Sequence, residues 1–449
     1  MATITLPPGP RGRFFGGNLE ELRRDALGLY TRCAREFGDF TTMRFGTRRV
    51  YLINHPDLIE QVLVSNARNF VKHFALKMNR LLLGDGLLTS EGDFWLRQRR
   101  LLQPLFHRDR LTGYGAVMVE LAERLAASWR DGETRDLLAD MTRLTLEIIA
   151  RTLFGTGLSD KAHEINGVLE EVGRSFNRRL ASFLILPESV PTPANLRMRR
   201  AVRRLDDILY DLIKQRREGG DQKDLLSILL HARHEDGAVM TDRQLRDEAM
   251  TLFLAGHDTT ALTLSWAWYL LAQNPRVYDA LQAELAAVLG GRPPTPADLP
   301  RLPYTERVVQ EVMRLYPAAY MMGRQAIAAC DLGGYRLPAG GTVLLSQWIM
   351  HRDPRWFNDP ERFDPDRWAD GLAKRLPRFV YFPFGGGPRI CIGNSFASME
   401  AALVLATLAQ RGRFTLLPGA PIRPAPAITL KPERGIMVTV HLTPRRRDA

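Results

Sequence analysis

Cysteine is scarce in this sequence: of 449 residues, only Cys33, Cys330 and Cys391 carry a thiol. Three dispersed thiols cannot build a disulfide framework, and a reducing cytoplasm is the compartment they fit. Long apolar runs are absent as well. The segment from Met1 to Arg11 holds the cluster Pro7-Pro8-Gly9-Pro10 where a leader would need hydrophobic residues, so neither a secretory signal nor a membrane anchor is expected. No Gly/Ser-rich linker, internal repeat or low-complexity stretch divides the chain, which reads as one domain over residues 1–449. Negative charge is in deficit: 50 acidic against 62 basic residues leave a net charge of +12, most of it arginine. Nucleic acid is not the expected partner, because no recognition motif accompanies the charge and aromatic residues do not interleave with it. An anionic membrane or an acidic protein partner could use such a charge, and a solvated, merely basic surface is the default. What is plentiful is apolar and charged material in ordinary proportion, 45% and 25%, enough for a large globular core.

The pattern of elements is mainly α with small β-sheets. Two short strands, Asp39 to Phe45 and Arg49 to Asn54, flank Gly46-Thr47 as a hairpin. From Pro56 to Leu289 nearly everything has helical periodicity, broken by turn-like stretches at Gly84-Asp85-Gly86 and Pro187 to Pro193. Short strands return between Gly334 and Leu345, and again between Ile428 and Leu442. The longest helix starts at Thr241, which forms a capping box with Gln244, and stops at Asn274-Pro275. At about 1.5 Å per residue it spans roughly 50 Å, enough to cross a domain. It is not a membrane span: His257 and Asp258 sit at its centre and charges crowd its first two turns.

Ten residues near the end stand apart: Phe384-Gly385-Gly386-Gly387-Pro388-Arg389-Ile390-Cys391-Ile392-Gly393. Glycines and proline forbid regular structure up to Pro388, and a helix follows from Asn394. Cys391 is thus presented just ahead of a helix N-terminus, where the dipole, free amide groups and nearby Arg389 favour the thiolate. A single ionised sulfur with no second cysteine beside it suits an axial ligand to one metal centre, although a structural cysteine in a glycine-rich turn has the same outline. The spacing Phe-x-x-Gly-x-Arg-x-Cys-x-Gly, carried here by Phe384, Gly387, Arg389, Cys391 and Gly393, resembles the haem-thiolate signature of the cytochrome P-450 superfamily.

Three further segments, in the family's order, extend the resemblance. Ala255-Gly256-His257-Asp258-Thr259-Thr260 is poor helix material placed mid-helix, which points to function over packing. It resembles the family's oxygen-activation motif, and the resemblance implies that Gly256 lets the helix approach the haem while Asp258 and Thr259 relay protons to dioxygen. His257 receives no role. Glu311 and Arg314, i and i+3 on one helix face, resemble the family's Glu-x-x-Arg pair, implied to be buried and joined by Arg362 of Pro360-Glu361-Arg362-Phe363. Trp95 and Arg99, i and i+4, resemble the pair that meets a haem propionate; Arg324 and Arg389 match two more such contacts. The implied cofactor is haem b (iron protoporphyrin IX), with its axial thiolate from Cys391 and further contact from Phe384. The implied fold is the cytochrome P-450 fold, with its long central helix over the haem.

The resemblance implies a haem-thiolate monooxygenase that places one atom of O2 into a lipophilic substrate such as a fatty acid or terpenoid. Apolar segments expected at the pocket are Phe74, Leu76, Met78 and Leu82; Leu252 and Ala255; Ala318, Ala319 and Met321; and Ala427 and Ile428. Residues 392–449 are too few for a fused reductase, so electrons are expected from a separate acidic ferredoxin or flavodoxin docking on Arg97, Arg100, Arg108 and Arg110. A peroxide-driven haem-thiolate peroxygenase and a non-enzymatic haem sensor are the alternatives. The pair Asp258-Thr259 argues against the first, and the lack of an output domain against the second.

Overall fold

The computed structural model describes residues 6–13, 15–77, 79–155, 167–168, 171, 175, 190–219, 224–232, 237, 239–419 and 421–443. Its organising element is the helix Asp242–Gln273, hereafter the long helix. Both arms of the anticipated capping box are made: the Thr241 hydroxyl accepts from the backbone N–H of Gln244, whose side chain accepts from the backbone N–H of Thr241. At the other end Asn274 breaks the run, and Pro275 opens the next helix, Pro275–Leu289. Most of the long helix is buried, because it is packed from several sides. The helices Leu137–Phe154, Pro303–Leu315 and Asn394–Ala409 all lie against it. Trp266 and Trp268, each nearly sealed from solvent, anchor the main core. Trp266 stacks on Tyr316 at a centroid distance of 4.0 Å.

The hairpin forms as expected, with Phe40–Phe45 antiparallel to Arg48–Ile53. It grows into a five-stranded sheet in the order Phe40–Phe45, Arg48–Ile53, Thr342–Leu345, Met322–Ala326, Phe70–Lys72, in which only the second and third strands run parallel. A three-stranded sheet pairs Thr134–Asp136 and Gly412–Leu416 with the two edges of Met437–Leu442. A small hairpin joins Pro424–Pro426 to Leu430–Pro432. The strands at 70–72, 134–136 and 322–326 escape the sequence reading. The first two are three residues long, too short to show alternation, and Met322–Ala326 contains Gly323 and two polar residues. The turn expected at Pro187 to Pro193 begins outside the described residues, as does Met78.

Candidate functional site

The cysteine loop is shaped by its own backbone. The Cys391 N–H donates to the Phe384 carbonyl at 3.0 Å, and a single 3₁₀ turn, Gly387–Arg389, lies between them. Gly387 sits at φ +67°, and a Cβ there would run into the Leu63 carbonyl, so only glycine serves. The loop delivers Cys391, with its side chain exposed, three residues before the helix Asn394–Ala409. The thiolate expected at Cys391 depends on what the sulfur meets. Although Cys391 is exposed at the surface of the loop, desolvation by the protein atoms around its sulfur pushes the thiol up, and the Gly393 N–H and the Arg99 guanidinium offset this only in part. Ionisation therefore has to come from the ligand it meets, as a coordinating metal deprotonates a thiol outright.

Arg99 does not join the other expected arginines. Its Nη1 donates to the Ile390 carbonyl at 2.7 Å, which braces the cysteine loop from the helix Gly92–Leu102. Trp95, on the same helix, faces the opposite group: the guanidinium of Arg389 lies 5.2 Å from its ring centre and Nζ of Lys72 lies 5.8 Å away. Arg389 donates to Glu91 at 2.7 Å and to the Phe70 carbonyl at 3.0 Å. Arg324 is buried beside them. Burial, aided by Arg389, pulls Arg324 down to about 10; burial likewise pulls Lys72 down to about 7, with Glu91 as the main counterweight. Buried cations in this condition are stabilised by anions placed among them. Lys72 and Glu91 belong to this cluster and carry no motif, so sequence reasoning passed over them.

On the long helix the run of buried residues opens at the middle. Ala255 is exposed and Gly256, Asp258 and Thr259 are half-buried, between Phe253 and Thr260, which are closed off. The hydroxyls turn back on the helix: Thr259 Oγ1 donates to the Ala255 carbonyl at 2.9 Å and Thr263 Oγ1 to that of Thr259 at 3.0 Å. Gly256 has a different task from the one expected. A Cβ there would collide with Cδ1 of Ile149, so the glycine admits the neighbouring helix Leu137–Phe154. His257 is buried, with Nδ1 2.9 Å from the Phe253 carbonyl, and burial pushes its pKa down. It is a packing residue. Asp258 accepts from Thr429 Oγ1 and from Lys431 Nζ, each at 2.8 Å. Burial alone raises this carboxyl, but the Lys431 charge, His257 and the two bonds overcome it and hold Asp258 below its ordinary range.

The Glu-x-x-Arg pair is fully buried and bidentate, with Arg314 Nε and Nη2 donating to Glu311 at 2.8 Å each. The third member is not Arg362. Arg367 Nε donates to Glu311 Oε1 at 2.9 Å and Trp368 Nε1 to Oε2 at 2.8 Å, while exposed Arg362 contributes its carbonyl to Arg314 Nη2 at 3.0 Å. A further buried acid, Glu400, lies on the helix after the cysteine loop; burial pushes its carboxyl well up, and Thr260 offsets this only in part. Its signal is visible in sequence as one charge in an otherwise apolar helical run. Of the expected pocket residues, Leu82 and Leu252 are buried in the core, whereas Ala255, Ala319 and Ile428 are exposed.

A thiol on a braced loop beside a helix that opens at an acid and an alcohol defines a class, and comparison with known proteins agrees. The cytochrome P450 family model matches residues 7–440, and the chain belongs to that family. It is similar to cyclooctatin synthase of Streptomyces melanosporofaciens, 42% identical over 88% of this chain and 86% of that protein. It is also similar to cyclooctat-9-en-7-ol 5-monooxygenase of the same organism, 40% identical over 85% of this chain and 84% of the relative. Pentalenene oxygenase of Streptomyces avermitilis is 37% identical over 88% of each chain. The protein is a monooxygenase of a haem-thiolate family. The residues present fit that cofactor: an exposed thiol on a fixed loop, and buried cations, Arg324 and Lys72, in a condition that two carboxylates would relieve. No described helix is long and apolar enough to cross a membrane.

Proposed function

We propose that this chain is a cytoplasmic cytochrome P450 that oxygenates a terpenoid, with Cys391 as axial ligand to haem b and Asp258 and Thr259 as its proton-handling pair. The observation that carries the reading is the opening of the long helix: between stretches buried from Leu245 to Phe253 and from Thr260 to Leu271, surface appears at Ala255 and beside the acid and the alcohol. When bound, the haem supplies dioxygen binding and the electron density for splitting it. The chain's own part is to hold and move protons. Asp258 is kept ionised by Lys431, and Thr259, whose hydroxyl proton is committed to the Ala255 carbonyl, offers its lone pairs outward as an acceptor. Positioned proton transfer of this kind is typically worth roughly 10² to 10⁴ in rate. Trp95, Arg324 and Arg389 would receive the cofactor's carboxylates, and Arg99 and Phe384 would hold the ligand loop.

The terpenoid assignment rests on the relatives, whose names place oxygen on cyclooctat-9-en-7-ol and pentalenene. Exposed Arg97, Arg100 and Arg110 give an acidic ferredoxin or flavodoxin a place to dock; the side chain of Arg108 lies outside the described set. The test is a reduced carbon-monoxide difference spectrum followed by a spin-shift screen with terpenes, fatty acids and steroids. A thiolate spectrum that survives Cys391→His refutes the ligand, and a spin shift confined to fatty acids refutes the substrate class. Thr259→Ala should retain haem and divert electrons to peroxide, and unaltered coupling removes the proton role.

A further inference from the structure

Both carboxylate oxygens of Asp258 are taken by residues of one hairpin. Thr429 occupies Oδ2 and Lys431 occupies Oδ1, across a sequence gap that no motif bridges. That hairpin, Pro424–Pro426 with Leu430–Pro432, is weakly built: three of its six ladder positions are proline, and a two-stranded ladder lacking donors has little stability of its own. Its seating comes from other contacts. The Leu430 N–H donates to the Ala318 carbonyl at 3.0 Å, Tyr320 Oη to the Ala427 carbonyl at 3.1 Å, and Trp266 Nε1 to the Leu430 carbonyl at 3.0 Å. The tip therefore sits between the segment after Pro317 and the long helix, and Ile428 at the turn is 43% exposed.

We infer that this hairpin senses occupancy of the substrate pocket and holds Asp258 locked until a ligand displaces its tip. Thr429 and Lys431 are then positioning residues: they touch the relay acid and act through it. A ligand pressing on Ala427 and Ile428 moves the turn that carries Thr429 and the strand that carries Lys431, and the freed carboxylate turns toward Thr259. The bond to Lys431 is the part that yields readily, since that side chain is 41% exposed and water can replace its partner. The inference rests on the assignment of Asp258 as relay acid in the reading above. Its physical content is a linkage: a ligand that must break the lock binds more weakly by the free energy of the lock, and a protein without the lock binds it more tightly.

The test measures binding, not turnover. Clotrimazole, whose imidazole binds haem iron and whose three phenyl rings fill the space above it, is titrated spectroscopically into the ferric holoenzyme. Lys431→Met and Asp258→Asn should each tighten its Kd about 3- to 5-fold, the range of a part-exposed ion pair, and the double variant should gain nothing further. Lys431→Arg should retain the wild-type value. Thr429→Val provides a second, smaller lesion of the same lock, and the carbon-monoxide spectrum of each variant verifies the fold. Equal Kd values across the series, or additive effects in the double variant, overturn the inference. Coupling in Thr259→Ala tests the relay by itself: its failure leaves the binding cycle standing, and failure of the cycle leaves the relay standing.

Discussion

Removing the guanidinium of Arg367 leaves Glu311 Oε1 with one donor fewer in a site closed to water, and breaking a buried pair in this way costs about 3–5 kcal/mol. Arg362→Ala, by contrast, deletes an exposed side chain and keeps the carbonyl that Arg314 uses, so its effect should stay within about 0.5 kcal/mol. Parallel denaturant titrations of Arg367→Ala and Arg362→Ala decide between the two arginines. The sequence pointed to Arg362 because a motif reports spacing, whereas the pairing depends on which way the backbone turns after Phe363. His351 gives a second outcome at this scale. Burial, with Arg314 nearby, pulls its pKa down to about 3, and its neutral Nε2 accepts the Phe382 N–H at 3.0 Å. The unfolded chain takes up this proton near pH 6.5 and the folded one only near 3. Stability is therefore full above about 6.5 and falls by about 1.4 kcal/mol per pH unit below it. Thermal melting from pH 7 to pH 5 should show a loss of stability in the wild type, to which His73 and His257, also pushed down by burial, contribute, and a shallower loss in His351→Gln.

The long helix was legible almost residue for residue, because its capping box, its proline stop and its misfit centre are all local statements. Its partners were not. Gly256 looked like a concession to the cofactor, yet the group in its way is Ile149, more than a hundred positions earlier, and nothing in either segment announces the other. Gly256→Ala should cost about 1–3 kcal/mol through overpacking, and adding Ile149→Val, which removes the offending Cδ1, should restore most of it. A double variant no more stable than Gly256→Ala would return the glycine to the cofactor face. The cysteine loop shows the same division. Its geometry follows from its own ten residues and was readable; the upward push on its thiol comes from the protein packed around it, and was not. Lys431 illustrates the extreme, since its partner lies on another element and a lone lysine in a proline-rich turn carries no signal of its destination.

At the scale of the whole molecule, the charge excess of +12 makes a prediction about association. If exposed arginines such as Arg97, Arg100 and Arg110 receive an acidic electron donor, reduction rates with an acidic ferredoxin should fall steeply between low and physiological ionic strength, as screening shortens the reach of the field. Stopped-flow reduction across a salt series checks this, and a flat profile would place docking elsewhere. The fold class was legible here because helical periodicity dominates the chain; the pairing of strands into sheets was not, because the sheets draw on distant parts of the chain. Phe70–Lys72 waits for Met322–Ala326, and Thr134–Asp136 waits for Met437–Leu442. The consequence concerns the order of synthesis. A ribosome releases the first of each pair long before the second exists, so the early strands leave it with their edges open and the cysteine loop emerges later still. The cofactor can then be captured only after Cys391 has been made, long after the strands at 70–72 and 134–136.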